Sequence, residues 1–242
     1  PVVQAELVVE YEDNKLFLGT DTTWTAAPSH LSPLGTWTHG NFGGERYDAR
    51  AVITDVAAPS LDDAGWESAA TVDIPDHVVA FYDAPPDRII DSWEPESIAP
   101  LDEAVGGGWL VDTGRELTGW LDIDFGGGYG AGHKITIEYS DRPPGEQFNL
   151  YRQWDEYICA GTPEESFRSR FNYHAFRWAK IHGCSAPPQR IVAKLIGADM
   201  TQTGYFRCTN KLLNSIHDLQ TWTLQCLTLN GIQVDCPHRE RL

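Results

Sequence analysis

Long apolar runs are missing from this 242-residue chain; the longest are only a few residues, so no segment reads as a membrane span. Basic residues are scarce. Eighteen Lys and Arg stand against 35 Asp and Glu, a formal charge of −17, which argues against a nucleic-acid partner because that needs a basic footprint. Cysteine is limited to Cys159, Cys184, Cys208, Cys226 and Cys236, with no C-x-x-C pair. An odd count excludes a complete disulfide framework, and the spacing speaks against a zinc site. With no Asn-x-Ser/Thr sequon either, reduced thiols and a cytoplasmic location are favoured over secretion. The eight His are scattered, with no H-x-H and no H-E-x-x-H, and neither G-x-x-x-x-G-K-S/T nor G-x-S-x-G occurs. Phosphate cradling, a nucleophile elbow and a metal centre are therefore unsupported, and no cofactor is expected. The chain also starts at Pro1 without a leader-like segment and stops at Arg241-Leu242, so it reads as a piece of something longer.

What is present points to a folded protein. Hydrophobic residues make up 41% and charged residues 22%, with nine each of Trp, Tyr and Phe, which excludes disordered and fibrous classes. Acid is unevenly placed. Residues 1–100 carry 4 basic and 18 acidic side chains, and residues 101–242 carry 14 and 17. The front reads as a solvated acidic shell, and the chemistry is expected behind it.

Glu6 to Tyr11 and Leu16 to Leu18 read as partner strands around an Glu12-Asp13-Asn14 turn, and Ala51 to Thr54 as a further short strand. Asp83-Ala84-Pro85-Pro86-Asp87 and Glu94-Pro95-Glu96 are the candidate linkers, since Pro removes ladder donors and restricts its neighbour. Leu121, Ile123 and Phe125 alternate with Trp120, Asp122 and Asp124, and Ile135, Ile137 and Tyr139 with Lys134, Thr136 and Glu138. That period of two predicts antiparallel strands with one packed face, most economically a β-sandwich. After Phe206 the period becomes 3.6. Leu212, Leu213, Ile216, Leu219, Thr223, Cys226 and Leu227 make the stripe of a helix of about 17 residues, capped by Thr209 or Asn210 and stopped by Asn230-Gly231. Such a stripe needs other elements to cover it, which suggests the beginning of a helical domain.

Several features have a plain reading beside a functional one. Gly126 to Ala131 fits a loose dinucleotide fingerprint, but a strand pattern rather than a helix follows it, so a β-turn is expected. His217 falls on the polar side of the helix and reads as solvated. Nine Trp in a β-rich chain indicate packing more than sugar stacking. The tail Asp235-Cys236-Pro237-His238-Arg239-Glu240-Arg241 could be a solvated charge cluster. Yet Pro237 stiffens it and an amphipathic helix precedes it, so its carboxylates should be held beside arginines, as an acid working near neutral pH requires.

Five segments together carry a family resemblance: Thr20 to Trp24; Gly43 to Arg50 followed by Trp66; Asp112-Thr113-Gly114 through Gly119-Trp120; Arg170-Phe171 through His174-Ala175-Phe176-Arg177-Trp178; and 235–242, Asp-Cys-Pro-x-Arg-Glu-Arg-Leu. In these, in this order, the chain resembles bacterial α-L-rhamnosidases of glycoside hydrolase family 78. Ala175 stands where Gly is usual, and Arg239-Glu240-Arg241 lacks the extra acidic residue of some members. The resemblance implies a mainly β fold: two jelly-roll-like β-sandwich segments, then the first helix of a truncated (α/α)6 barrel. Residues 1–86 would be the C-terminal part of an accessory β-sandwich, 87–200 a concanavalin-like sandwich, and 201–242 the start of the helical catalytic barrel.

Carried over by position, Glu240 matches the general acid, and Asp235 and Arg239 match groups that hold the rhamnose hydroxyls. The implied reaction is inverting hydrolysis of terminal α-L-rhamnosyl groups, with the base beyond Leu242 and this stretch alone inactive. The implied partners are rhamnose-containing glycosides or oligosaccharides, with homo-oligomers forming through the full-length protein if at all. The alternative from another class is a non-catalytic carbohydrate-binding β-sandwich module, and the plainest is a scaffold without a ligand.

Overall fold

The computed structural model describes residues 3–73, 83–102, 106–145 and 147–237. In chain order the first strands are β1 (Glu6–Tyr11), β2 (Asn14–Gly19), β3 (Thr25–Ala26), β4 (Leu31–Pro33), β5 (Glu45–Asp48), β6 (Glu67–Ser68), β7 (Asp87–Trp93) and β8 (Ser97–Pro100). Then come β9 (Trp109–Gly126), β10 (Lys134–Ser140), β11 (Gln153–Ile158), β12 (Glu165–Phe167), β13 (His174–His182) and β14 (Arg190–Ala198). Helix α1 (Lys211–Leu227) and the short pair β15 (Thr228–Leu229) and β16 (Ile232–Gln233) close the described chain. It is mainly β, with one α-helix among the described residues.

Contacts divide the chain into two compact units, Pro1–Ser29 with Ile53–Tyr82, and His30–Val52 with Asp83–Leu242. In the first, β1 and β2 form an antiparallel hairpin from Glu6↔Gly19 to Tyr11↔Asn14, and β3 pairs with β6. The hairpin turns where its sequence supplies turn residues, with Glu12 in the left-handed region at φ 51°.

The second unit is built on one ten-stranded sheet ordered β4-β5-β11-β10-β13-β9-β14-β7, with β8 and β12 also paired to β9. The 18-residue β9 is its hub. Its first part lies against β8 and β13, and its second against β14 and β12. One core fills the unit, drawing Val111, Leu117, Leu121, Ile123, Ile135, Ile137, Tyr139, Phe176, Ile181 and Leu195 from β9, β10, β13 and β14. The alternation therefore buries Leu121, Ile123, Phe125 and Ile135, Ile137, Tyr139 on that face. Gly119 is required where β9 meets β14: a Cβ there would lie 1.8 Å from the Lys194 carbonyl oxygen. Gly44 plays the same part where β5 joins β11, since a Cβ would meet the Trp154 carbonyl oxygen at 1.9 Å.

Gly126 to Ala131 connects β9 to β10, a strand on each side, so no phosphate-binding helix follows it. Three local expectations are corrected. Residues Ala49–Ala51 form a 3-10 turn rather than starting a strand, because the Asp48 carboxylate accepts from the Arg50 N–H and from its guanidinium. Glu94-Pro95-Glu96 is a short connection between β7 and β8, and the Glu96 N–H is taken by the Asp112 carbonyl at 2.8 Å, so it is no linker. Helix α1 ends before Asn230-Gly231. These two, at φ 50° and 69°, form the two-residue turn of the β15–β16 hairpin, where positive φ matches strand twist. At the other end Asn210 is the N-cap, its side chain accepting from the Leu212 and Leu213 N–H groups.

Candidate functional site

Asp235 is exposed immediately after β16, with Cys236 half-buried and Pro237 buried behind it. Arg239 and Glu240, the other two predicted site residues, lie outside the described residues. What the structure shows is the support beneath this segment. Val234 donates its N–H to the Leu227 carbonyl at 2.8 Å and packs with Ile196 and Leu229 in a second apolar cluster on β14. The Asn230 N–H donates to the Asp87 carboxylate at 2.7 Å, which ties the hairpin turn to β7.

Helix α1 is held by a different kind of contact. The Arg115 guanidinium lies 4.0 Å from the Trp93 ring centroid and 3.8 Å from that of Trp222, and it pairs with Asp91 at 2.8 Å. Trp222 also donates to the Glu116 carbonyl at 2.7 Å, and Trp93 to the Thr113 carbonyl at 2.8 Å. Residues 113–116 of β9 thus clamp the helix that leads to the tail. His217 is half-buried on α1 with its ring 5.5 Å from that of Phe206, so the solvated position expected for it is corrected: the preceding segment folds back over the helix's polar side.

Three of the five segments that carried the resemblance meet through polar joints. Glu45 accepts from the backbone N–H groups of Arg170 and Phe171 at 2.6 and 3.0 Å, joining the Gly43–Arg50 stretch to the Arg170–Trp178 stretch. Asp155 accepts from the Glu45 N–H at 2.8 Å and pairs with His174 Nε2 at 2.9 Å, and His174 stacks on Tyr139. Asp112 takes two bonds from the Arg177 guanidinium, at 2.8 and 3.0 Å, and one from the Gly114 N–H. These side chains hold strands together; they form architecture rather than a reaction centre.

The electrostatics agree. The Arg177 guanidinium beside Asp112 holds that carboxyl below its ordinary range, whereas burial raises Glu45 despite its two N–H donors. Burial, reinforced by Asp141, pushes Glu116 up to about 8. All five cysteines are free thiols, and burial raises Cys159 to about 11 and Cys226 to about 12, which makes both poor nucleophiles at neutral pH. Among the described residues no group of three His, Cys, Asp or Glu is placed to hold a metal ion, and no helix is long and apolar enough to cross a membrane.

Three family models match successive parts of the chain: the α-L-rhamnosidase N-terminal domain over residues 1–91, the bacterial α-L-rhamnosidase concanavalin-like domain over 103–197, and the bacterial α-L-rhamnosidase six-hairpin glycosidase domain over 201–242. The chain belongs to the bacterial α-L-rhamnosidase family. It is similar to an α-L-rhamnosidase of Formosa agariphila, 29% identical over all of this chain and 26% of that protein. The solved α-L-rhamnosidase of Dictyoglumus thermophilum superposes with a TM-score of 0.84 at 27% identity, over 96% of this chain and 26% of that one. The Streptomyces avermitilis α-L-rhamnosidase, solved with L-rhamnose, shares the fold at a TM-score of 0.82 and 23% identity, over 98% of this chain and 23% of that one. The chain thus spans about a quarter of the length of these family relatives. They are named as α-L-rhamnosidases, and this chain corresponds to their N-terminal part.

Sequence reasoning passed over Arg115, Trp222 and Asp155. A Trp on the polar side of an otherwise amphipathic helix was the available signal for the clamp. Nothing local marks Asp155, whose partners Glu45 and His174 lie far away in sequence.

Proposed function

We propose that the full-length protein is an exo-acting α-L-rhamnosidase that removes terminal α-L-rhamnosyl groups with inversion. Glu240 protonates the glycosidic oxygen, while Asp235 and Arg239 bind the sugar hydroxyls. A carboxylate downstream of Leu242 activates the water, and inverting pairs stand ~6.5–9.5 Å apart to admit it. The supporting observation is the ending of the described chain: Asp235 emerges from a hairpin fixed to β14 and β7, directly after a helix clamped to β9. That anchorage fixes the backbone up to Val234, directly ahead of Asp235, and positioned groups are what acid catalysis needs. On this reading residues 1–86 belong to an accessory β-sandwich, 87–200 to the concanavalin-like sandwich, and 201–242 to the start of the barrel, and rhamnose-containing glycosides are the substrates.

The test is Glu240→Gln in the full-length enzyme, assayed on an alkyl α-L-rhamnoside. A loss of about 10²–10⁴-fold in kcat is expected of a general acid. Activity near wild type would remove Glu240 from that role. Asp235→Asn should raise KM more than it lowers kcat, as expected for a group that grips the sugar before and during reaction.

A further inference from the structure

Away from the tail, a polar cleft of about 260 Å³ opens on the sheet between β5, β9, β14 and the stretch that follows β12. Its size suits one sugar ring rather than a long oligosaccharide. Tyr47 and Phe167 supply its aromatic wall, their rings set edge-on with centroids 6.4 Å apart. The charges are what single it out. On a chain of formal charge −17, three arginines line it, Arg168, Arg170 and Arg190.

Among the described residues only one of the three has an ion pair. Arg168 pairs with Asp122 at 3.0 Å, and Asp122 is further engaged by Trp120 at 2.9 Å and Lys194 at 3.7 Å. The guanidiniums of Arg170 and Arg190 have no ion pair among the described residues. Both are nevertheless well placed. The Arg170 backbone N–H is fixed by the Glu45 carboxylate, and Arg190 stands in β-ladder register opposite Asp124. Their bases are therefore held while their cationic ends remain available.

The remaining lining selects among anions. Asp124 and the Ser166 hydroxyl, also in the cleft, suit sugar hydroxyls as acceptor and donor. An Asp beside the arginines opposes a phosphate dianion more than a single carboxylate, and a planar carboxylate matches the guanidinium fork. We propose that this cleft is a binding site for a carboxylate-bearing sugar, a uronate, on the face of the β-sandwich. None of its lining residues is among those proposed for catalysis, and its test does not pass through catalysis.

The experiment titrates the 242-residue chain at low salt with D-glucuronate, with its neutral amide, and with inorganic sulfate, followed by calorimetry. Glucuronate should bind, with the amide and sulfate each at least about tenfold weaker. Arg190→Gln should weaken glucuronate binding roughly tenfold, and Arg170→Gln with Arg190→Gln should abolish it, with melting temperatures unchanged. Arg190 lies exposed at a strand start, so its single variant carries the test if the double variant unfolds. Equal binding of acid and amide, sulfate binding as tightly as glucuronate, or an Arg190→Gln variant indistinguishable from wild type would each overturn the proposal. None of these results bears on Glu240.

Discussion

Strands β9 to β14 and helix α1 follow opposite rules of burial. In the strands the apolar set faces inward: Leu121 is fully buried and Ile123 is 1% exposed. In the helix the first part of the apolar stripe faces outward, with Leu212 67% and Leu219 65% exposed, while Trp222 and Cys226, near the helix end, make the contacts with β9. A period of two names a buried face here because the apolar sides of these strands pack into one core cluster. A 3.6 period names only a face able to be buried. What holds α1 is an aromatic–cation clamp of three side chains, so the helix should open without disturbing the sheet.

The contrast can be broken by mutation, beginning with the core. Phe176→Ala removes a fully buried ring and should cost about 3–5 kcal/mol in urea unfolding, the loss appearing in every strand at once. Next comes Glu165, a buried carboxylate that accepts from the Tyr157 hydroxyl at 2.6 Å and from the N–H groups of Ala160, Gly161 and Thr162. Glu165→Ala should cost on the order of 3 kcal/mol, because those buried donors lose their partner.

Glu165 also carries a pH signature. Burial works to raise it, but its hydrogen bonds win and hold it below the ordinary glutamate value. A lowered folded-state value means that its stabilisation is fully present above about pH 4.3 and is lost as pH falls through the folded value. The urea midpoint of the wild type should therefore drop below that pH, and Glu165→Gln should flatten this part of the profile. An unchanged slope would contradict the assignment.

Smaller effects belong to the helix. Trp222→Ala should open α1 and the β15–β16 hairpin by about 1–2 kcal/mol, seen as faster amide exchange over 211–233 with β9 and β14 unchanged. Global destabilisation by this variant would show that helix and sheet unfold as one. Leu212→Glu with Leu219→Glu should change stability by no more than about 0.5 kcal/mol each while reducing self-association in sedimentation. A large loss of stability would mean that the stripe is buried after all.

The same contrast explains what could be read from sequence. The alternations in β9 and β10, the β1–β2 hairpin and the Asn210 cap are local, each written within one short stretch of chain. Asn230-Gly231 is ambiguous in sequence because the same pair terminates helices and turns hairpins; the pairing of Thr228 with Gln233 decides. The Glu45–Asp155–His174 joint depends on contacts between distant parts of the chain, so its members looked like unrelated polar residues. Glu45 and His174 lie in segments that carry the family resemblance, whereas nothing local marks Asp155. For the tail, residue identities carry the whole reading of Arg239 and Glu240, and structure adds the anchored hairpin from which Asp235 emerges.

The central claim is the proposal that Glu240 is the proton donor of the full-length enzyme. A general acid matters most when the departing oxygen is a poor leaving group. The deciding measurement is therefore kcat/KM of full-length wild type and Glu240→Gln on an alkyl rhamnoside and on a dinitrophenyl rhamnoside. The account predicts a loss on the alkyl substrate at least about tenfold greater than on the activated one. Equal losses on both substrates, or none on either, would contradict it.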